Sequence, residues 1–234
     1  MTTPLTAPEI QALFDRIAPV YDDLNQGLSL GLHTIWKKMA VKWASPKAGD
    51  IALDLCCGSG DLAFLLAKEV SNRGKVIGAD FSSKQLAIAA KRASERYPTP
   101  SMEWIEADAL NLPFEDNTFD CATMGYGLRN VTDIPHSLKE LYRVLKPSAK
   151  AAILDFHRPN GQLMHSFQQW YLNTIVIPTA QRFNLTEEYA YLVPSLERFP
   201  TGPEQVTLAF DAGFSQAVHY PIAGGMMGVL AVTK

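Results

Sequence analysis

The sequence predicts a doubly wound α/β domain in which a mostly parallel sheet ends in an antiparallel hairpin. Short apolar runs of strand length alternate with helical segments of about 10–15 residues, which is the spacing of β-α-β units. Two further apolar runs near the C-terminus are joined by a short glycine-bearing connection. That connection leaves no room for a helix, so these two strands must pair antiparallel. At 234 residues, the chain can bury the core of one such domain.

Two amphipathic helices are predicted ahead of the sheet. The first begins near Pro8, a residue suited to the first helical turn, and ends before Pro19. The second runs from about Leu30 to Trp43. We expect residues 1–45 to form a helical cap or lid on a core that spans residues 46–234. The apolar positions of the first helix recur at helical spacing: Ile10, Leu13, Phe14 and Ile17.

Seven segments are predicted to be the strands of the sheet. Most are apolar runs too short for a helix, whereas residues 101–108 alternate with a period of two. In chain order the segments are 51–57, 75–80, 101–108, 119–126, 149–156, 214–221 and 224–234.

Helices are predicted between most of these strands, with boundaries set by capping residues, glycines and prolines. The helix at residues 133–145 is expected to be closed by Lys146-Pro147, and the long helix at residues 161–180 to be broken at Pro178. The long helix lies within residues 158–205, which we expect to be a cap segment inserted into the core. In chain order the helices cover 61–70, 83–95, 133–145, 161–180 and 206–212.

Composition and charge exclude several classes of protein. The net charge of −3 and the absence of Lys/Arg blocks argue against a nucleic-acid partner. Three cysteines without framework spacing fit a reducing compartment. The first residues lack the pattern of a signal peptide, and no apolar run approaches the ~20 residues of a membrane span. We therefore expect a cytoplasmic protein, with peripheral membrane contact and a homodimer left open.

The stretch LDLCCGSGDL, residues 53–62, carries a glycine-rich turn where a strand gives way to a helix. Gly58 and Gly60 permit the tight turn and let the backbone approach a ligand. These residues also fit the dinucleotide fingerprint G-x-G-x-x-A, and Asp80 ends the next strand, where a carboxylate accepts from ribose hydroxyls. A nucleoside cofactor is therefore predicted, and an NAD-dependent oxidoreductase stays open as an alternative.

Three features favour a different nucleoside cofactor. Asp54 lies inside the first strand, ahead of the glycines. Asp108 and Ala109 follow the third strand, where a carboxylate can accept a hydrogen bond from an adenine amino group. The C-terminal antiparallel hairpin is not part of the usual dinucleotide arrangement. Together these features resemble the class I S-adenosylmethionine (SAM) methyltransferases, which implies their Rossmann-like fold and places Asp54 near the methionine amino end of SAM.

The adjacent cysteines of the loop do not indicate metal or redox chemistry. Neighbouring residues on a strand point to opposite faces, so Cys56 and Cys57 cannot form a C-x-x-C motif. We interpret both as small apolar fillers beside a crowded turn. The histidines show no metal-ligand spacing, and no metal site is predicted.

Four motifs follow one another over most of the chain: FDRIAPVYDDLN (14–25), LDLCCGSGDL (53–62), NLPFEDNTFDCATMGYGLRNVTD (111–133) and ELYRVLKP (140–147). They resemble the ubiquinone/menaquinone biosynthesis C-methyltransferase family. GYGLRNVTD is the most specific piece, because ordinary methyltransferases do not need an Arg-Asn pair after the fourth strand. Within the family, the chain is most similar to the cyanobacterial and plastid-type branch.

The resemblance implies SAM-dependent C-methylation of the ring of a prenylated quinol in phylloquinone or menaquinone biosynthesis. The branch indicates 2-phytyl-1,4-naphthoquinol or demethylmenaquinol as the acceptor. Three alternatives stay open: a benzoquinol of the ubiquinone type, another lipid or phenolic acceptor, and a non-enzymatic subunit of a quinone-biosynthesis assembly.

The family's SAM contacts carry over to matching positions of this sequence. The resemblance implies that Ser59 supplies the hydroxyl of the glycine loop and that Asp80 binds the ribose. Gly125 stands where the family often has a serine, so a side-chain hydrogen bond is expected to be absent there. The predicted cofactor-binding residues are Asp54, Gly58, Ser59, Gly60, Asp80, Asp108, Ala109 and Gly125.

A quinone ring is electron-poor, so the methyl acceptor must be the quinol, whose deprotonated oxygen makes the neighbouring carbon nucleophilic. Arg129 is predicted to face the cofactor crevice and to hold this phenolate. Asn130 is expected to orient a water or Arg129. Tyr21 is expected to lie on a lid and to form a hydrogen bond with the ring oxygen. Asp155 and His157 are reserve acid/base candidates. A structural salt bridge for Arg129, simple packing for Tyr21 and a surface turn for His157 stay open.

The prenyl or phytyl tail of such a substrate needs an apolar channel. The N-terminal helices and residues 164–183 are the richest source of aromatic and aliphatic side chains outside the strands. We expect them to form that channel and part of this surface to touch the bilayer that holds the substrate. The ordinary core of a cap region would have the same composition and stays open as an alternative.

Overall fold

The computed structural model describes residues 6–18, 29, 31–96, 101–159, 161–182 and 192–234. Within these ranges, seven strands form one sheet: β1 Ile51–Leu55, β2 Lys75–Asp80, β3 Ser101–Glu106, β4 Phe119–Gly125, β5 Leu145–Phe156, β6 Gln216–Ile222 and β7 Met227–Thr233.

The strand order in the sheet is β3-β2-β1-β4-β5-β7-β6. Strands β1 to β5 pair in parallel, and β7 pairs antiparallel with both β5 and β6. The prediction of a mostly parallel sheet with a C-terminal antiparallel hairpin is confirmed. Because the order reverses between β1 and β4, a crevice is expected at the carboxyl ends of these two strands.

Helices flank this sheet at most of the predicted places. Short 3-10 helices cover Ser71–Arg73, Leu128–Asn130 and Ala223–Gly225. The longer helices in the described ranges are α1 Ala7–Ile17, α2 Leu32–Ala44, α3 Asp61–Val70, α4 Ser83–Arg96, α5 Ile134–Val144, α6 Gln162–Tyr171, α7 Ile177–Arg182, α8 Leu192–Arg198 and α9 Gly202–Asp211.

The two faces of the sheet bury separate apolar clusters. Successive residues of a strand point to opposite faces. Leu53 and Leu55 of β1 therefore pack in a cluster with residues of α5 and α9, whereas Ala52 packs in a cluster with residues of α2 and α3. Helices on both faces explain why the central strands are apolar throughout rather than alternating.

Two elements begin four residues earlier than predicted. β5 begins at Leu145 and contains Pro147, and its pairing with β4 shifts register between Phe119 and Cys121. This irregularity accommodates a residue that has no N–H for the ladder. α9 begins at Gly202, four residues earlier than expected, because Thr201 and Glu204 form a capping box that the sequence already contained.

The long predicted helix is interrupted by a π-helix, Leu172–Val176, rather than broken at Pro178 itself. Pro178 lies in the first turn of α7, and it can neither donate to the preceding turn nor tolerate the carbonyl four residues earlier. The wider π turn ahead of it relieves both problems. No helix in the described ranges is long and apolar enough to cross a membrane.

Candidate active site

A cavity of about 420 Å³ opens at the carboxyl ends of β1, β2 and β4. We call it the glycine-loop cavity, because residues 56–59 form one wall. Helix α1 is held beside the end of β2 by two hydrogen bonds: Gln11 Nε2 donates to the Phe81 carbonyl (2.6 Å), and Ser82 Oγ donates to Asp15 Oδ1. A cavity of this volume is in the range of small-ligand sites.

Two glycines let the loop turn from β1 into α3. Gly58 (φ +52°) and Gly60 (φ +91°) have left-handed backbone conformations that other residues adopt only with strain. A Cβ on Gly60 would also lie 2.8 Å from the Trp104 ring. Gly58 is part of the cavity wall. Gly60 does not line the cavity and contributes only by allowing the loop to turn.

Asp80, the predicted ribose-binding residue, lies in the cavity wall at the end of β2. Its Oδ2 accepts a hydrogen bond from the Gly58 N–H (2.8 Å), and its Oδ1 accepts one from the Ser82 N–H (2.9 Å). Burial raises the pKa of this carboxyl to about 6, although the two N–H donors favour the charged form. Each oxygen retains an acceptor position for a ligand hydroxyl.

Asp54 lies deeper, fully buried in β1. Its Oδ2 accepts from the Ala63 N–H in the first turn of α3 (2.8 Å), and its Oδ1 accepts from the Thr123 hydroxyl on β4 (2.9 Å). Burial raises the pKa of Asp54 to about 7. The structure thus places this predicted cofactor residue behind the loop, where it fastens α3 and β4 to β1.

The predicted adenine pair, Asp108 and Ala109, lines the cavity beyond β3. Asp108 Oδ1 accepts a hydrogen bond from the Leu110 N–H (2.9 Å), which fixes the carboxylate in a tight turn. Gly125 lines the cavity at the end of β4. A Cβ on Gly125 would lie 2.6 Å from the end of the Leu62 side chain, so a serine here would require Leu62 to shift.

A charged network beside the loop has no signal in the sequence. Asp61 accepts from Lys37 Nζ through Oδ2 (2.7 Å) and from Arg92 Nη2 through Oδ1 (2.6 Å). Arg92 Nη1 also donates to the Ser59 carbonyl (2.9 Å) and hydroxyl (2.8 Å). The two cations come from α2 and α4, at separations of 24 and 31 residues, so no local spacing could indicate them.

Two buried acceptors in the cavity wall are unsatisfied. Gln85 Oε1 and Asn130 Oδ1 have no hydrogen-bond partner in the described part of the chain, although the residues are only 2% and 8% exposed. Asn130 is held in place by its Nδ2, which donates to the Tyr126 carbonyl (2.8 Å). An unpaired buried acceptor costs about 1–3 kcal/mol, so a ligand that carries hydroxyl or amine donors would bind favourably here.

A second cavity of about 410 Å³ adjoins the first. We call it the Arg129 cavity, since Arg129 is part of its wall. Both cavities are lined by Ile10, Asn130, Val131 and Thr132. The shared wall means that ligands in the two cavities would lie next to each other.

Arg129 is held in a buried ion pair. Its Nη1 donates to Asp155 Oδ1, its backbone N–H donates to Asp155 Oδ2 (2.9 Å), and its Nε donates to Ser195 Oγ (3.1 Å). Burial raises the pKa of Asp155, although Arg129 opposes this shift. The salt bridge that the sequence left open is therefore present, and Nη2 is the guanidinium donor without an acceptor among the described residues.

Two predicted participants remain to be placed. Tyr21 falls outside the described residues. His157 is 5% exposed, and its Nε2 lies 3.0 Å from His219 Nε2 and 3.1 Å from Gln205 Nε2. The alternative that His157 is a surface turn residue is wrong. Burial lowers the pKa of His157 to about 3, so this ring is neutral at physiological pH.

Cys56 and Cys57 line the glycine-loop cavity as protonated thiols. Burial raises the pKa of both thiols well above the usual value, and the Asp80 carboxylate acts in the same direction. A Cβ on Gly127 would lie 2.5 Å from Cys56 Cβ, which shows how crowded the turn is. Within the described ranges, no group of three or more His, Cys, Asp and Glu side chains is placed to hold a metal ion.

Comparison with known proteins decides the family. The model of the ubiE/COQ5 methyltransferase family matches residues 2–234. The chain belongs to this family. A relative from Trichormus variabilis, named 2-phytyl-1,4-naphtoquinone methyltransferase, is 65% identical over 97% of this chain and 99% of its own length. A relative from Arabidopsis thaliana, named 2-phytyl-1,4-beta-naphthoquinone methyltransferase, chloroplastic, is 54% identical over 97% of this chain and 87% of its own.

The fold comparison agrees with the family. A SAM-dependent methyltransferase from Thermotoga maritima superimposes with a TM-score of 0.64 at 20% identity, over 95% of this chain and 99% of that one. The predicted class I methyltransferase fold and the predicted family are confirmed. The protein is a SAM-dependent methyltransferase, and the NAD-dependent alternative has no support.

The wall of the glycine-loop cavity fits SAM chemically. Asp80 and Asp108 offer carboxylate acceptors for ribose hydroxyls and an adenine amino group. The unpaired Gln85 Oε1 and Asn130 Oδ1 call for ligand donors, which the nucleoside and the methionine ammonium possess. Gly58 and Gly125 line the cavity without side chains.

Proposed function

We propose that this methyltransferase adds a methyl group to a ring carbon of 2-phytyl-1,4-naphthoquinol, or of demethylmenaquinol, in phylloquinone or menaquinone biosynthesis. The proposal is carried by end-to-end similarity to relatives named for the phytyl naphthoquinone, such as the one 65% identical over 97% of this chain. The geometry supports it, because the cofactor-type cavity has a neighbour of about 410 Å³ that shares one of its walls.

In this proposal the glycine-loop cavity binds SAM, which supplies an electrophilic methyl group. Asp80 accepts from the ribose hydroxyls, and Asp108 with Ala109 holds the adenine. Ser59 contributes from the loop, while the glycines keep the backbone close to the ligand. Asp54 acts indirectly, because its bonds to Ala63 and Thr123 fix the strand and helix that carry the loop.

The Arg129 cavity receives the quinol ring in the same proposal. Asp155 balances the charge of Arg129, so Nη2, which has no acceptor among the described residues, acts as an oriented hydrogen-bond donor to the quinol oxygen rather than as an excess positive charge. Asn130 lines both cavities and offers Oδ1 to a quinol hydroxyl. Water takes the hydroxyl proton, transfer of the methyl group to the ring carbon would leave S-adenosylhomocysteine, and loss of the ring proton to water restores the aromatic ring. Tyr21 remains a proposed lid contact.

Transfer of a labelled methyl group from SAM to 2-phytyl-1,4-naphthoquinone, with and without a reductant, tests the proposed reaction. We expect turnover only with the reductant, because the oxidised ring has no nucleophilic carbon. Equal turnover of the oxidised ring would contradict the quinol mechanism. Preferred turnover of a prenylated benzoquinol would instead assign a ubiquinone-type acceptor.

An apolar stripe on α6 and the π-helix supports a peripheral role at the membrane. Leu163 is 83% exposed and Trp170 53% exposed, with Phe167 and Ile175 also exposed along the same segment. Leu163, Phe167 and Trp170 lie at i, i+4 and i+7, on one side of the helix. We propose that this part of the 158–205 cap segment contacts the bilayer, while the rest of the protein is cytoplasmic. Together with the 1–45 cap, it forms the entrance for the prenyl or phytyl tail of the substrate.

Exchange of Leu163 and Trp170 for glutamate is expected to reduce co-flotation with quinone-bearing liposomes by at least about tenfold. Each exchange removes an apolar anchor of about 1.5–3 kcal/mol and adds a charge that resists burial. Phe210, 49% exposed on α9, supplies the matched control variant Phe210→Glu. Unchanged flotation of the double variant would contradict a role of the stripe.

A further inference from the structure

Lys37 is a buried cation in the wall of the glycine-loop cavity. The residue lies in the middle of α2 and is only 7% exposed. Its Nζ donates to Asp61 Oδ2 (2.7 Å) and lies 5.7 Å from the centre of the Tyr126 ring. Among the described residues that line the cavity, Lys37 alone has a basic side chain.

The counter-charge of Lys37 is shared with a second cation. Asp61 also binds Arg92 Nη2 (2.6 Å). Burial would raise the pKa of Asp61, but Lys37 and Arg92 lower it to about 2, so one carboxylate serves two cations. Asp54 also lies near Lys37, yet its oxygens are engaged by Ala63 and Thr123 behind the loop. Among the described residues, Lys37 therefore shares its one hydrogen-bonded carboxylate with a second cation, and its charge faces the cavity.

The part of the cavity where the nucleoside is proposed to bind is lined by acidic rather than basic side chains. Asp80, Glu106 and Asp108 line the cavity after β2 and β3 and supply only acceptors when charged. SAM carries its carboxylate on the methionine arm, away from the adenosine. A buried carboxylate requires a cation or several donors. Lys37 is the group in this cavity that meets that requirement.

We infer that Lys37 Nζ binds the carboxylate of the methionine arm of SAM, and that Asp61 and Arg92 position Lys37 for this contact. The inference rests on the proposed placement of SAM in the glycine-loop cavity. Lys37 still has donors to spare, since an ammonium has three and Asp61 accepts one. The contact would couple α2, and hence the N-terminal cap, to the cofactor.

Calorimetric titration with two ligands separates this role from a structural one. S-Adenosylhomocysteine has the amino-acid arm, whereas 5′-methylthioadenosine shares the nucleoside and thioether but lacks that arm. In the Lys37→Met variant we expect about 10- to 100-fold weaker binding of S-adenosylhomocysteine, the effect of one charge-assisted hydrogen bond. Binding of 5′-methylthioadenosine should stay within about twofold of the wild type. Lys38→Met, exposed on the same helix, is the matched control and should change neither affinity.

The outcomes distinguish this inference from the cofactor site on which it rests. Equal weakening of both ligands, or of neither, in Lys37→Met would overturn the carboxylate contact while leaving the SAM site in place. If the wild type binds neither ligand, the proposed site itself is wrong and the inference fails with it. If Lys37→Met does not fold, the contact is tested instead by titrating the wild-type protein with decarboxylated S-adenosylhomocysteine. Affinity equal to that for the parent ligand would overturn the contact.

Discussion

Exchange of Arg129 for methionine is expected to lower the free energy of unfolding by about 3–5 kcal/mol and to abolish methyl transfer. The guanidinium is buried against Asp155, which is itself 1% exposed. Removing one member of such a pair leaves the other as an uncompensated buried charge. Urea unfolding followed by circular dichroism measures the first effect, and transfer of labelled methyl measures the second.

The companion variant Asp155→Asn tests the pair from the other side. Asparagine keeps an oxygen for the Arg129 backbone N–H but removes the charge that balances the guanidinium. The double variant contains no unpaired charge, so we expect a coupling energy of about 1–3 kcal/mol between the two exchanges. Restored stability without restored methyl transfer would support the proposed contact of Arg129 with the quinol. Restored transfer would contradict it.

The stability defect of Arg129→Met should grow with pH. Burial already raises the pKa of Asp155, and loss of the neighbouring cation raises it further. A carboxyl whose pKa is higher in the folded than in the unfolded state stabilises the fold below the unfolded value of about 3.9. That contribution is lost as the pH rises through the folded-state pKa. The variant is therefore expected to lie closer to the wild type at about pH 5 than at about pH 8.

Asp54 should make the stability of the intact protein strongly dependent on pH. Burial raises its pKa from the usual 3.8 to about 7. Because the folded-state pKa is the higher one, its stabilisation is present below about pH 4 and lost as the pH rises to about 7. At about 1.4 kcal/mol per unit, the loss between pH 4 and pH 8 amounts to about 4 kcal/mol.

The Asp54→Asn variant removes this dependence. Asparagine can accept from the Ala63 N–H and exchange a hydrogen bond with the Thr123 hydroxyl, but it does not titrate. In urea titrations, we expect the free energy of unfolding of the variant, relative to that of the wild type, to rise by about 4 kcal/mol between pH 4 and pH 8. Asp211→Asn, at an exposed position of α9, is the control and should follow the wild type. Parallel curves for Asp54→Asn and the wild type would contradict the shift.

The sheet could be predicted because its signals are local. Most strands are short apolar runs, and the short connection between β6 and β7 dictates their antiparallel pairing. The capping box at Thr201 was also present in the sequence and would have given the start of α9. The π-helix ahead of Pro178 could not be predicted, because several geometries relieve the clash of a proline inside a helix.

The site could be predicted only in part, for a related reason. Motif spacing places Ser59, Asp80 and Asp108 at the carboxyl edge of the sheet, and all three line one cavity in the structure. The partner of Arg129 depends on how β4 and β5 align in space, which no local pattern reports. The same holds for Lys37, which reaches the glycine loop from a helix that precedes the sheet.

The crowded turn at Cys56 and Cys57 has a chemical consequence. A thiolate is a strong nucleophile, and one placed beside a sulfonium would take the methyl group itself, whereas a neutral thiol is a poor competitor. Burial keeps both sulfurs protonated in the wall that we propose lies against the donor. The packing that shapes the loop thereby also protects the enzyme from alkylating itself during turnover.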